Sequence, residues 1–345
     1  MPRTTPKKRT AQIVPKTGTK KHAAIVKKAR PTILVTGGTG FLGAHLVRQL
    51  VEAGTKDIRV MATSMPAWLA DLGVDSVAGS VTNANDVAQA VQGIEQIYHL
   101  AGKVSRERDD AREMYKLHVD GTRLLCDGLS ALERPPRVLV SASAVGWYGD
   151  RGEETLTEES APGTGFLPEV ARAWEAATET AERRGIRVVR MRFGIVLAAR
   201  GGALEPMRRL TSLGLGGPLG NGRQWMSWIA VDDVLGAVGH ALSHDALRGA
   251  VNAVAPGAVR QLEFARTLAR VLGRPAWMPA PAFALRLVLG REMADELLLA
   301  SQRVEPRRLQ ETGYAFRFPA LEPALLHVLA RGSAARSLTS RADAI

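Results

Sequence analysis

The stretch Thr32-Ile33-Leu34-Val35-Thr36-Gly37-Gly38-Thr39-Gly40-Phe41-Leu42-Gly43 constrains this chain more than any other. A short aliphatic run meets a glycine cluster and passes at once into Phe41–Gly54. There Leu42, Leu46 and Leu50, with Val47 and Val51, recur at helical spacing, and Gly54 supplies a stop. Strand, glycine turn and helix in that order make a dinucleotide-binding unit. Gly37 allows a sharp turn out of the strand, and Gly40 removes a Cβ that would hold a pyrophosphate away from backbone N–H groups. Gly43 lets the helix close on the sheet, and the helix N-terminus favours phosphate charge. A glycine-rich turn that binds nothing is the alternative, and the flanking strand and helix argue against it.

The alternation continues. Ile58–Met61, Gln96–Leu100, Arg137–Ser141 and Ile186–Met191 read as strands, with helical patterns at Asn85–Val91, Met114–Leu129 and Glu169–Arg183. This predicts an α/β fold, a Rossmann-type doubly wound parallel sheet. From Gly194 the rhythm changes to loops around Gly201-Gly202, Gly214–Pro218 and Gly220-Asn221-Gly222. Helical patterns follow at Val231–Leu242, Gln261–Leu272 and Pro281–Gln302. We expect a nucleotide-binding domain over residues 32–193, its sheet completed by later segments. A smaller C-terminal substrate-side lobe over 194–331 and a flexible tail over 332–345 follow.

Charge separates one further segment. The net charge is +12, yet the first 30 residues hold ten basic side chains and no acid, leaving 36 basic against 34 acidic residues in the rest. Residues 1–31 read as a disordered Lys/Arg-rich leader. It is either a solvated tail, or a start codon placed too early, or a segment drawn nonspecifically to nucleic acid or another anionic partner through counterion release. A transit peptide is less favoured, because those are rich in Arg and Ser and amphipathic. Cys126 is the only cysteine, so no disulfide forms within the chain, and no His/Cys spacing suits a metal. No apolar run approaches the ~20 residues that cross a bilayer. A protein without a membrane span, in the cytoplasm, is the expectation; a homodimer is left open.

Three motifs resemble the extended short-chain dehydrogenase/reductase superfamily, the relatives of sugar-nucleotide epimerases and dehydratases. They are Thr36–Gly43, His99-Leu100-Ala101-Gly102 and Val140-Ser141-Ala142-Ser143. The C-terminal half is similar to an atypical, epimerase-like oxidoreductase family that ends in a small domain of unknown function. The similarity is carried by Trp147-Tyr148-Gly149-Asp150, Trp174-Glu175, Leu213–Gly220, Trp228-Ile229, Asn252–Pro256, Glu263-Phe264-Ala265 and Thr312-Gly313-Tyr314. The resemblance spans about residues 32–330. It implies that Gly37, Gly40, Phe41, Leu42 and Gly43 surround the pyrophosphate, and that Leu100, Ala101 and Gly102 line the adenosine and ribose. His118 stands where extended members have asparagine, and Val196 approaches the nicotinamide. Thr63 occupies a place where relatives often have arginine. Thr63 and Ser64 could hold a 2′-phosphate or simply close a turn, so the cofactor is NADP or NAD, leaning to NADP.

The usual catalytic pair of that superfamily is missing. Its tyrosine and lysine lie four residues apart after the serine, and the lysine lowers the tyrosine pKa from ~10. Here Tyr98, Tyr115, Tyr148 and Tyr314 are followed four residues on by Gly102, Val119, Gly152 and Phe318, and no lysine occurs after Lys116. By resemblance, Phe166 and Val170 stand in the vacated places. Ser143 keeps the position of the catalytic serine, for binding a substrate oxygen or for closing a strand end. Tyr148 is the remaining candidate proton donor, with Arg192 as the group that would perturb it. Trp174-Glu175 reads more readily as packing, and Asp232-Asp233 as N-caps. Two functions are consistent with this: an NAD(P)(H)-binding epimerase-family oxidoreductase of unknown small-molecule substrate, or a non-catalytic NAD(P)-binding regulatory or scaffold protein.

Overall fold

A computed structural model describes Met1 and residues 33–103 and 111–330. The basic leader and the C-terminal tail lie outside the described residues. The chain runs β1 (Ile33–Thr36), α1 (Phe41–Glu52), β2 (Ile58–Ala62), α2 (Ala67–Asp71), β3 (Asp75–Ala78), α3 (Ala84–Ala90) and β4 (Gln96–His99). It continues through α4 (Ala111–Tyr115), α5 (Gly121–Ser130), β5 (Val138–Ala144), β6 (Thr155–Leu156), α6 (Phe166–Ala176), α7 (Glu179–Arg183) and β7 (Arg187–Phe193). The remainder is β8 (Ile195–Leu197), α8 (Leu204–Ser212), β9 (Trp225–Met226), β10 (Trp228–Ala230), α9 (Val231–Ser243), β11 (Gly249–Ala253), β12 (Val259–Arg260) and α10 (Gln261–Val271). Last come α11 (Ala282–Leu289), α12 (Arg291–Met293), β13 (Arg303–Val304) and α13 (Arg307–Glu311).

Seven strands form one parallel sheet in the order β11-β7-β5-β4-β1-β2-β3. The order reverses beside β1, between β1 and β4, and such a switch point opens a crevice at the carboxyl ends of the strands. Both faces are covered, so the strands are continuous apolar runs rather than alternating ones. Val35, Val60, Val140, Val189 and Val251 join Leu46 and Val47 of α1 and Val234 and Val238 of α9 in one layer. Leu34, Met61, Ile97, Leu139 and Val188 join Val87 of α3 and Leu125 and Leu129 of α5 in the other. A third cluster, with Leu197, Leu204, Trp228, Phe264 and Leu325, gathers residues from β8 onward.

Several boundaries differ from the sequence expectation, each for a local reason. The Met114–Leu129 pattern is α4 and α5 joined through a π turn at Lys116–Asp120. The Glu169–Arg183 pattern begins three residues earlier, and its helix ends where the Glu175 carbonyl accepts from Thr178 Oγ1 at 2.7 Å and Arg190 Nε at 3.2 Å. The Pro281–Gln302 pattern breaks at Gly290, whose φ of +81° ends α11. Two strands of the large sheet had no reading from sequence: β3 buries only Val77, and β11 is a short Gly-Ala-Val-Asn-Ala segment. Through β11 the chain returns to the large sheet, so the segment after Gly194 supplies that sheet's outermost strand beside β7. Asp232 and Asp233 do not cap α9: Ala230 is the N-cap residue, without a side-chain cap, and the Asp233 carboxylate accepts from Arg317 N and Phe318 N at 2.8 and 2.9 Å.

Candidate active site

Gly37 and Gly43 are placed by close backbone contacts. Gly37 has φ +68°, and a Cβ there would lie 2.7 Å from Ala101 N. A Cβ on Gly43 would fall on the Gly37 carbonyl oxygen and within 2.7 Å of Gly38 Cα. Gly40 differs. It is exposed, and a Cβ would meet only Gly37 O, at 3.2 Å, with open space elsewhere. It is the N-cap residue of α1, which has no side-chain cap and no acid in its first turn. The first-turn N–H groups therefore face outward without an internal anion, the arrangement that a phosphate completes. Phe41 lies where Cβ atoms on Gly201 and Gly202 would come within 2.8 and 2.9 Å, so the loop after β8 folds onto the glycine loop. Leu42 is half-buried, and Val196 of β8 is buried, with its carbonyl oxygen 3.4 Å from a Cβ built on Gly202.

On the other side of the switch point, Leu100 N donates to Thr36 O at 3.2 Å, and Ala101 is buried against Gly37. His118 Nε2 accepts from Lys103 N at 2.9 Å, and the ring packs at a tilt of 40° against Trp174, with centroids 4.1 Å apart. Burial pushes the His118 pKa down to about 4. Thus His118 shapes the Gly102-Lys103 turn as a neutral ring. A Cβ on Gly102 would come within 3.2 Å of Nε2. Thr63 and Ser64, just past β2, are exposed.

Ser143, Arg192 and Asn252 are register partners across β5, β7 and β11 and so share one sheet face. The α6 helix crosses that face and delivers Glu175. Ser143 Oγ donates to Glu175 Oε1 at 2.7 Å; Arg192 donates to Oε1 through Nε at 2.7 Å and to Oε2 through Nη2 at 2.9 Å. All three residues are buried. Arg192 also donates to Tyr148 OH at 3.0 Å and lies 4.0 Å from the Trp147 ring centroid. The Tyr148 hydroxyl has Asn252 Oδ1 at 2.7 Å and the Thr157 carbonyl at 3.0 Å as acceptors. Tyr148 is fully buried and its hydrogen-bonding positions are taken. Burial raises its pKa, and the nearby Arg192 only partly offsets this. The perturbing arginine expected from sequence is in place, but it does not lower the phenol below its ordinary value.

Phe166 and Val170 stand one turn apart at the start of α6, and Val170 is buried. Gly165, the N-cap residue, has φ +118° and no side chain to offer. The cap comes from far along the chain: Glu296 Oε1 accepts from Phe166 N at 2.9 Å, and Oε2 from Leu167 N at 2.6 Å. Trp147 Nε1 and Trp174 Nε1 are buried donors without a partner among the described residues. Buried N–H groups left unpaired cost stability and call for an acceptor. The described residues hold no cluster of His, Cys, Asp or Glu suited to a metal, and no helix long and apolar enough to cross a membrane.

A family model described as the NAD dependent epimerase/dehydratase family matches residues 33–253. The chain belongs to that family. A second model, a domain of unknown function, matches residues 280–328. The chain is 35% identical to the epimerase family protein SDR39U1 homolog, chloroplastic, of Arabidopsis thaliana, over 88% of each chain. Its structure is similar to that of human epimerase family protein SDR39U1 with NADPH, at 30% identity and TM-score 0.76, covering 87% of this chain and 99% of the other. The fold is shared with Thermus thermophilus UDP-glucose 4-epimerase in complex with NAD, at TM-score 0.72 and 19% identity, over 88% and 99%.

For a member of the epimerase/dehydratase family, the polar cluster is the part that sequence reading understates. Glu175 reads as packing, Asn252 appears only within a stretch of family similarity, and Glu296 carries no mark of its own. Alternation within β5 and β7 does put Ser141 and Ser143, and Arg190 and Arg192, on single faces. Only the strand order shows that these faces are the same.

Proposed function

We propose that this chain is an NAD(P)(H)-binding oxidoreductase of the atypical short-chain dehydrogenase type, acting on a small molecule with an alcohol or carbonyl group. The observation that carries the reading is the exposed Gly40 at an uncapped, acid-free helix N-terminus, framed by Gly37 and Gly43, which only tolerate hydrogen as side chain. That cradle fits a pyrophosphate. Gly37, Gly40, Phe41, Leu42 and Gly43 hold it, Leu100, Ala101, Gly102 and His118 bound the adenosine side, and Val196 bounds the nicotinamide side. When bound, the nicotinamide supplies the hydride chemistry. Ser143 positions the substrate oxygen. Tyr148, enclosed by Asn252, Thr157 and Arg192, holds Arg192 in place. The hydroxyls of Thr63 and Ser64, in place of an acid that would select NAD, support a preference for NADP, and the human relative bound to NADPH supports it further.

The competing reading is a scaffold whose cofactor occupancy stabilises a partner-binding state. Apolar Phe166 and Val170, where relatives carry the catalytic pair, favour it. Titration with NADPH and NADH by nicotinamide fluorescence, followed by a carbonyl panel with Ser143→Ala and Tyr148→Phe, separates the two. Binding with turnover that falls in Ser143→Ala supports the enzyme. Binding without turnover on any member of the panel supports the scaffold. Binding of neither cofactor refutes both.

A further inference from the structure

α11 reads Ala-Phe-Ala-Leu-Arg-Leu-Val-Leu, and none of its eight residues is buried. An apolar helix on a folded chain normally turns its apolar stripe to the core. Here Phe283 and Leu287, one turn apart, are 73% and 84% exposed, and Val288 is 79% exposed. The apolar surface does not stop at the helix. Nine of the thirteen large apolar side chains that stand exposed among the described residues fall within 210–215 and 277–297, with Leu213 at 74% and Trp277 at 67%. Backbone bonds tie these stretches together. Met278 N donates to Gly216 O at 3.3 Å, Ala280 N to Pro218 O at 2.8 Å, and Gly220 N to Ala280 O at 2.8 Å. Arg286 of α11 reaches Asp295 at 2.8 Å, which brings in the π turn Ala294–Leu299 and its exposed Leu297. Exposed apolar surface concentrated in this way marks a place of association.

We infer that this face is the seam at which two copies of the chain pair about a twofold axis. The area is sufficient. Exposed side chains of this size each present on the order of 100 Å², so the nine offer about 900 Å², and a stable pairing buries about 800 Å² of each partner. The chain itself offers too few apolar residues to cover the face. Residues 331–345 hold only Leu338 and Ile345 as large apolar side chains, and residues 2–32 only Ile13, Val14, Ile25 and Val26 among their lysines and arginines. Charge favours a second copy over an anionic lipid surface. Arg286 and Arg291 flank Asp295 at 2.8 and 3.8 Å, so the rim is locally neutral: it attracts no anionic headgroups and does not repel its own copy. The remaining exposed apolar residues, Met1, Met65, Tyr115 and Leu326, come singly from separate parts of the chain. A face of this chemistry therefore exists once per chain. It can be matched only by itself, which closes a dimer, whereas pairing with a different patch would continue into open chains.

The test is sedimentation equilibrium of the full-length protein over a dilution series from about 20 µM chain, since interfaces of this size dissociate in the µM to pM range. About 0.5 M NaCl screens the basic leader and leaves apolar pairing in place. The expected result is twice the chain mass and nothing larger. Leu287→Arg and Phe283→Arg alter exposed positions, and each puts two like charges into a twofold seam. Each should raise the dimer dissociation constant at least about 30-fold, the size of a hot-spot loss, with far-UV circular dichroism unchanged. Leu213→Arg, on the neighbouring stretch, should do the same and decides alone if both α11 variants fail to fold. Leu326→Arg, exposed but outside both stretches, should leave the mass doubled. Wild type at the mass of one chain overturns the inference. So does a dimer that survives all three face variants, one lost equally in Leu326→Arg, or a ladder of larger species. Flotation with phosphatidylcholine vesicles tests the other occupant: single-chain wild type that floats with them assigns the face to a bilayer and overturns the pairing.

Discussion

Replacing Glu296 with alanine should loosen the start of α6, and the size of the effect can be worked out. Glu296 caps a helix whose own N-cap residue, Gly165, has no side chain, through bonds of 2.9 and 2.6 Å to Phe166 N and Leu167 N. Losing an N-cap costs about 0.5–2 kcal/mol. Losing a carboxylate from a helix N-terminus adds about 0.3–1 kcal/mol. We therefore expect Glu296→Ala to lower stability by about 1–3 kcal/mol, a fall in Tm on the order of 2–4 °C per kcal/mol. Glu296→Gln, which keeps one acceptor, should lose about half as much. A second substitution makes the argument specific. A Cβ on Gly165 would meet Glu296 Oε1, and its φ of +118° is strained for any other residue. Gly165→Ala should then cost more in the wild type than in Glu296→Ala, where only the strain remains. Urea unfolding of the four proteins measures both quantities. Unchanged stability in Glu296→Ala, within about 0.5 kcal/mol, or strict additivity of the pair, would refute the cap.

The glycine loop makes a contrasting pair. Gly43→Ala should destabilise the protein by about 1–3 kcal/mol or more, because its Cβ falls on the Gly37 carbonyl. Gly40→Ala should keep its Tm within a few degrees, on the order of 1 kcal/mol, while weakening NADPH binding; equal effects of the two on Tm would count against the cradle. Tyr148→Phe strips a partner from Asn252 Oδ1 and Arg192 Nη1 and should cost about 1–3 kcal/mol, with cofactor affinity in fluorescence titration unchanged. Acid should also destabilise the fold. Burial, with His118 nearby, pushes His99 down to about 3, and burial pushes His118 down to about 4. Below the unfolded value of about 6.5 the unfolded chain binds protons that the folded one refuses. Stability then falls from pH ~6.5 toward those folded values, by up to about 1.4 kcal/mol per unit for each ring. His118→Gln should halve that slope between about pH 6 and 5 in urea unfolding; an unaltered slope would place the titration elsewhere.

How far the sequence could be read follows from the range of each interaction. The glycine loop and its helix are set by neighbours within a dozen positions, so spacing alone announces them. Cys126, in an apolar helical pattern, lies in the core as that pattern requires, and burial pushes its thiol up to about 12. The Ser143–Glu175–Arg192–Tyr148–Asn252 cluster was not legible in the same way. Ser143 and Asn252 are 109 positions apart in the chain, and they share a sheet face only because β7 lies between β5 and β11. Glu296 is 130 positions from the helix it caps. Gly165 offers the one local hint, a helix start with no capping side chain of its own. Asp232 and Asp233 show the converse: the residues suit N-caps, but Asp233 is claimed by the backbone of Arg317 and Phe318, out of reach of any local pattern.

The late return of the chain to its sheet sets a timetable during synthesis. β7 ends at Phe193 and its outer partner β11 begins at Gly249, 56 positions later. At ribosomal speeds of about 5–20 residues per second, that interval lasts roughly 3–11 s. Throughout it β7, with Val188, Val189 and Met191 destined for full burial, has an unpaired edge, the feature by which strands recruit the wrong partner. A ribosome paused between those two strands would hold the nascent protein in the state most exposed to association with its neighbours.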